Sequence, residues 1–391
     1  FTTTLQGTAS DGLTLPRDLD FHKDIARQNE LWVINENNTG GRTHGGSTVT
    51  YYDAGLETQW ADYRQDSYSG HFMHTASAIA ISENGTFANP LDVQDANNNN
   101  GYFTGPVLWP TDTSIYARVN QNGPLLGSHL DMIHQTPFGE GIASAGENVY
   151  WVFDGFHSAI VKYDFVNPHV AGGDYHSDGL VWRHSDVVVQ RQPGLSSHME
   201  IDPESGLLYI ADTGNERIIR MDPNSGSIAG NLSPYGETLA GYYNMMGTDW
   251  EVVADSGLIE PTGLDIYDGR LLVSDFSSGE IIVYDITQNP VIELGRIETE
   301  LTNEVMGIKV GPDGSIWFVC HNDNELYQLT TLLMGDVNGD GNYSIMDVIL
   351  CTQYVMGLID LDEDEEYRGD INFDETVNIL DVLLIVDLVY N

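Results

Sequence analysis

Two segments near the C-terminus place oxygen-bearing side chains at identical intervals. The first carries Asp336, Asn338, Asp340 and Asp347; the second carries Asp370, Asn372, Asp374 and Asp381. In each, these residues stand at positions 1, 3, 5 and 12 of a twelve-residue loop. Hard oxygen donors at that spacing can gather roughly six to eight ligands around one Ca²⁺. Position 7 (Asn342, Thr376) would add a backbone carbonyl, and position 9 (Ser344, Asn378) would act directly or through water. Two Ca²⁺ sites are therefore expected. Position 6 is Gly341 in the first loop but Glu375 in the second. That position takes a positive φ, which glycine tolerates and glutamate does not, so the second site is expected to bind more weakly.

Each loop runs into one apolar helix, expected over residues 348–356 and 382–389. With Asp at position 12, this paired loop–helix arrangement resembles the type I dockerin module over residues 333–391. The resemblance implies a small all-α calcium-binding domain that docks to a cohesin-like protein. In dockerins, loop positions 10 and 11 help make that contact, and here they are Ile345, Met346, Ile379 and Leu380. Apolar residues there suit a docking patch or an intramolecular interface. The two copies are alike enough for a near-twofold patch, so another copy of this chain is a second candidate partner.

Upstream, a different pattern must position everything else. A short apolar strand, a turn, a second strand ending in a polar residue and a third strand recur at roughly 45–65 residue intervals. The clearest copy joins Met199-Glu200-Ile201, Leu207-Leu208-Tyr209-Ile210-Ala211-Asp212 and Arg217-Ile218-Ile219-Arg220-Met221. Its neighbour joins Gly263-Leu264-Asp265-Ile266, Leu271-Leu272-Val273-Ser274-Asp275 and Ile281-Ile282-Val283-Tyr284. Weaker copies begin near Asp18, Ala78, Gly141 and Gly307, the second reaching to about Val119. These repeats, Ala211-Asp212-Thr213-Gly214-Asn215 above all, resemble NHL-type propeller repeats. The expected architecture is an all-β six-bladed propeller over residues 1–332, followed by the dockerin-like domain over 333–391. The last blade supplies only three strands before the calcium loops begin, and an open edge is a hazard. Phe1-Thr2-Thr3-Thr4-Leu5, rich in β-formers, is expected to close the ring.

Residues preceding each inner strand should gather at one mouth of a propeller channel, joined there by the loops between second and third strands. This set includes Arg17, His74, His134, Glu140, His157 and His198, with Glu36, His44 and His321 nearby. Imidazoles with a carboxylate could hold a transition metal, or could simply be hydrogen-bonded loop residues. A second cluster, Asp164, His169, Asp174, His176 and Asp178, could hold a metal or form a self-capped turn. Asp154, Asp212 and Asp275 share one repeated position and are expected to accept backbone N–H groups. The peptidyl-hydroxyglycine amidating lyase, a six-bladed propeller enzyme, holds channel zinc with three histidines preceding inner strands. Here those positions are Arg17, Ser77, Glu140, Ser197, Thr262 and Met306, so that triad is missing.

The 59 acidic side chains against 15 basic ones give a formal charge of −44. Such a field repels nucleic acid and anionic membranes and attracts divalent cations. No apolar run of about 18 residues suggests a membrane span. A first residue of Phe points to a removed leader, and with the calcium loops it suggests a secreted, extracellular protein. Cys320 and Cys351 could form one disulfide in such a compartment, or stay as buried thiols. Two functions fit: a non-catalytic extracellular binding or assembly protein, or a metal-dependent lyase or hydrolase at the channel mouth.

Overall fold

A computed structural model describes residues 1–36, 45–331 and 333–390. Six antiparallel sheets follow one another in sequence, each a propeller blade whose innermost strand comes first. Blade 1 runs Pro16–Phe21, Leu31–Asn35, Ser47–Tyr52 and Trp60–Arg64; blade 2 runs Ala80–Ile81, Thr86–Asn89, Val107–Pro110 and Asp131–Met132. Blade 2 therefore extends past Val119, because the chain leaves it for a long excursion before the fourth strand. Blade 3 comprises Gly139–Ser144, Val149–Asp154, Ala159–Asp164 and Leu180–His184. Blade 4 has Met199–Ile201, Leu208–Asp212, Arg217–Met221 and Trp250–Ala254; blade 5 has Pro261–Tyr267, Arg270–Asp275, Glu280–Asp285 and Ile292–Glu298. Blade 6 consists of Val305–Val310, Ile316–Cys320 and Glu325–Thr330, with Thr2–Gly7 as its outermost strand.

The inner strands obey one local rule. In blades 1, 3, 5 and 6 the pairing slips just after the strand begins, between Pro16 and Asp18, Gly139 and Ile142, Pro261 and Leu264, and Val305 and Ile308. The next blade's backbone passes close by at this point. A Cβ on Gly141 would strike the Ser197 carbonyl, and one on Gly263 the Met306 carbonyl. Glycine is required there because nothing larger clears the neighbouring chain.

Between blades lie separate apolar layers. Trp32, Phe87, Trp109 and Tyr116 fill the first, between blades 1 and 2. Tyr150, Val152, Val161 and Tyr163 join Leu108 and Ile133 in the second. Trp317 and Val319 pack against Leu19, Val33 and Tyr51, so blade 6 is sealed to blade 1. Each layer buries several large side chains at roughly 1.5–3 kcal/mol apiece.

An unanticipated hairpin, Ser227–Asn231 with Gly241–Met246, leaves blade 4 and pairs in parallel with the outer strand of blade 3. It widens that sheet to six strands and covers its edge.

By itself, the C-terminal region forms helices over Ile345–Val355, Glu363–Gly369 and Ile379–Tyr390. Its core is Val337, Cys351, Leu361, Val382 and Ile385. The first and last helices begin three residues before their expected starts, because Ser344 and Asn378 cap them from within the loops. The short helix between them, opened by a reciprocal cap of Asp362 and Glu365, was not expected. The two compact units are Thr4–Gln328, and Phe1–Thr3 with Leu329–Asn391. Cys320 and Cys351 are both free and buried. Cys351 packs in its own domain's core, and burial raises both thiols' pKa. No helix among the described residues is long and apolar enough to cross a membrane.

Candidate functional site

The two C-terminal loops share one hydrogen-bond scheme. In the first, Asp336 accepts the N–H groups of Asp340 (3.1 Å) and Gly341 (2.7 Å), and Asp347 accepts those of Asn338 (3.1 Å) and Ser344 (2.8 Å). In the second, Asp370 accepts from Asp374 (3.1 Å) and Glu375 (2.8 Å), and Asp381 from Asn372 (3.2 Å) and Asn378 (2.8 Å). Asp340 likewise accepts from Asn342, and Asp374 from Thr376. Position 6 has φ +80° at Gly341 and +67° at Glu375. Glutamate thus occupies the left-handed region that the sequence argument reserved for glycine.

The donor chemistry of these loops suits Ca²⁺. Asp336, Asp347 and Asp381 are buried. Residues 333–391 contain fourteen acidic side chains and a single basic one, Arg368, whose guanidinium donates to the Val337 carbonyl. Buried carboxylates without a basic partner are expensive, and a divalent cation is the counter-charge that the oxygen set accommodates.

The channel-mouth residues do not meet at one point. Arg17 and Glu140 do come together. Fully buried, Arg17 reaches Glu36 and Asp92 (both 3.3 Å) and Glu140 (3.4 Å), while its Nε donates to Ser196 Oγ at 3.1 Å. Arg191 completes the network on Asp92 (2.8 Å) and Glu140 (3.1 Å). Burial, reinforced by the charge of Asp92, lifts the Glu140 carboxyl well above its usual range. The Arg17 pKa rises because the surrounding carboxylates outweigh the burial that opposes it. His321 lies 3.8 Å from Glu36.

The remaining members are elsewhere. His198 Nδ1 sits 3.1 Å from Asp18, and burial, then Arg17 and Lys309, lower its pKa to about 3. His134 Nδ1 faces Glu237 at 2.9 Å and its ring stacks on Phe103. His157 Nδ1 is 2.7 Å from Asp154, and His74 has a buried Nδ1 without a partner. His44 lies outside the described residues.

A cavity of about 610 Å³ is instead lined by the inner strands of all six blades, from just past their starts to the turns that follow. Its charged lining is Asp18, Asp20, Lys23, Glu83, Glu200, Asp265 and Lys309. Lys309 bonds Glu200 and Asp265 (2.8 Å to the latter). Burial would lower its pKa, yet these carboxylates raise it well above the usual value. Asp18, Asp20 and Asp265 also accept N–H groups from Ile79, Ile81 and Val310 of adjacent blades. Of the channel-mouth residues expected from sequence, only His198 lines this cavity, and its charged groups were not anticipated. The legible signal was acidic residues inside otherwise apolar inner strands, such as Asp18-Leu19-Asp20.

The repeated aspartates serve the scaffold. Asp154 accepts from Phe156 and His157, Asp212 from Gln190, and Asp275 from Ile259 and Ser278. In the second histidine cluster, Asp164 and Asp178 cap the N–H groups of Val166 and Asn167, while His176 turns to Asp131 of blade 2.

Residues 334–389 match the family model described as the dockerin type I domain. None of the curated proteins matches the chain. Several solved structures resemble the chain at low identity. An auxiliary nutrient binding protein from Bacteroides ovatus ATCC 8483 is 11% identical with a TM-score of 0.50, covering 81% of this chain and 69% of that one. A luciferin-regenerating enzyme, also 11% identical, has a TM-score of 0.48 over 85% of this chain and 96% of the other. Virginiamycin B lyase from Staphylococcus aureus has 11% identity and a TM-score of 0.45, covering 84% and 99%. At 11% identity the first of these speaks for fold alone. The chain carries a six-bladed β-propeller and, from 334 to 389, a dockerin type I domain.

Proposed function

We propose that this is a secreted, calcium-binding docking protein, whose C-terminal domain attaches an NHL-like propeller to a cohesin-like partner. The observation that carries this reading is the duplicated loop. Both copies fold onto their own backbone by the same bonds and present the same exposed apolar pair directly after position 9. Ile345 and Met346 are 53% and 50% exposed, and Ile379 and Leu380 are 57% and 56% exposed. Bulky apolar side chains held in water at the start of a rigid helix favour a partner that covers them. Asp336, Asn338, Asp340, Asn342, Ser344 and Asp347 would hold one Ca²⁺, and Asp370, Asn372, Asp374, Thr376, Asn378 and Asp381 the other. Each ion would neutralise carboxylates that otherwise repel one another and would fix the helix that follows.

The test is capture of the full chain on an immobilised type I cohesin domain. Replacing Ile345 and Met346 together by Asp, or Ile379 and Leu380 together, should weaken capture while leaving the calcium count at two. Undiminished capture by both double variants would overturn the docking role of these faces. Concentration-dependent association of the chain alone, abolished by the same changes, would name a second copy as the partner.

One observation favours a further role for the propeller. Its cavity falls within the roughly 300–1,000 Å³ typical of small-molecule sites, and the acidic majority among its charged lining residues suits a small polar or cationic ligand.

A further inference from the structure

Outside the cavity lining, two segments of the propeller that are distant in sequence lie side by side. The long connection after the third strand of blade 3 is laid along residues 126–131 by main-chain bonds. Leu126 N–H donates to Gly172 (2.9 Å), Gly172 N–H to His129 (2.8 Å) and His169 N–H to Leu130 (3.0 Å). This brings His169 and His176 beside Asp131, in the outer strand of blade 2. One ligand atom from each of the three lies within 4.8 Å of the others.

The hydrogen bonding around them leaves lone pairs unused. His169 Nδ1 lies 2.8 Å from the Val170 carbonyl, which sets the proton on Nδ1 and leaves a lone pair on Nε2. That Nε2 is buried and has no partner. Asp131 is 1% exposed. Its Oδ1 accepts the Met132 N–H and faces His176 Nδ1, each at 2.7 Å, whereas Oδ2 is buried and unpartnered. Buried acceptors left unsatisfied cost free energy, and two of them on residues whose ligand atoms lie within 4.8 Å call for a shared electrophile. More imidazoles stand behind: the His129 ring is 5.0 Å from His169, and His134 is 5.8 Å from His176.

We propose that Asp131, His169 and His176 bind a divalent transition metal of the zinc class. Two imidazole nitrogens and one carboxylate suit Zn²⁺ with a fourth position open to water, whereas Ca²⁺ takes oxygen ligands. The ion clips the connection between the third and fourth strands of blade 3 to the edge of blade 2. This site is independent of the docking function and differs in chemistry from the C-terminal loops.

The experiment uses the full chain, stripped of metal and returned to millimolar Ca²⁺ so that the oxygen sites are filled. Titration with Zn²⁺ alone is followed by calorimetry, and with Co²⁺ alone by visible absorption. One saturable equivalent of Zn²⁺, Co²⁺ ligand-field bands and a higher melting temperature for the propeller transition are expected. His169→Gln and His176→Gln should each abolish all three, with circular dichroism unchanged, while His157→Gln keeps them. Two results would overturn the proposal: no stoichiometric Zn²⁺ uptake by the parent chain, or a full equivalent retained by both glutamine variants.

Discussion

Arg17 illustrates how single residues in this protein are decided by burial and charge together. It has no exposed surface and faces three carboxylates, two of which also bind Arg191. Removing it leaves Glu36, Asp92 and Glu140 around an empty position. Arg17→Ala should therefore destabilise the propeller by about 3–5 kcal/mol, read from the midpoint of urea unfolding. A loss under about 1 kcal/mol would contradict the buried-network account. At Glu375, backbone strain is the issue. A non-glycine residue in the left-handed region costs roughly 1–2 kcal/mol, so Glu375→Gly should strengthen calcium binding to the second loop several-fold, and Gly341→Glu should weaken the first. Calcium titration of each variant reads this directly. Burial sets the titration of two other residues. His184 and His321 are lowered from 6.5 to about 4, in each case first by burial and for His321 also by Arg17. Between those values the unfolded chain binds more protons than the folded one, so stability rises with pH. Their contribution is complete above about pH 6.5 and disappears as the pH falls through about 4. His184→Gln should flatten the pH dependence of stability across that window, and a His184 resonance titrating near 6.5 would contradict it.

At the scale of elements, the blades are held by inner strands that approach one another too closely for any residue but glycine at Gly141 and Gly263. Those glycines, with the repeated aspartates that end the second strands, made the repeats legible in sequence. Inner, second and third strands are buried and carry strong apolar patterns. Outer strands carry weak ones: Ser227–Asn231 is exposed throughout, so nothing in its side chains announced the hairpin. The helix Glu363–Gly369 escaped notice for the same reason, since it is charged nearly all round. Thr2–Gly7 was legible because blade 6 lacked a fourth strand. Its Gln6 donates to Gln328 at 2.8 Å, and it covers the edge of Glu325–Thr330. Deleting residues 1–7 should lower the melting temperature of the propeller and promote aggregation through the bared edge, read by calorimetry and light scattering. An unchanged melting temperature without aggregation would show the strand to be dispensable. Sites divided the same way. The paired C-terminal loops could be read because all the oxygens of each come from one short segment. Asp131 could not be joined to His169 and His176, nor Lys309 to Glu200 and Asp265, because only tertiary structure brings those pairs together.

For the whole molecule, a formal charge of −44 sets the terms on which anything binds. Cations and basic surfaces are drawn in, polyanions are repelled, and the attraction weakens with salt. The C-terminal domain concentrates this logic, with fourteen acidic side chains against Arg368 alone. Its fold and its docking faces should thus exist only while divalent cations are bound, whereas the propeller, held by apolar layers between blades, should persist without them. The most direct measurement is calorimetric titration of a type I cohesin domain into the full chain, first in millimolar Ca²⁺, then after chelation, then after Ca²⁺ is restored. The account predicts saturable binding that vanishes on chelation and returns with Ca²⁺, with two calcium ions bound per chain. Binding that survives chelation unchanged, or a chain that takes up no calcium at all, would contradict it.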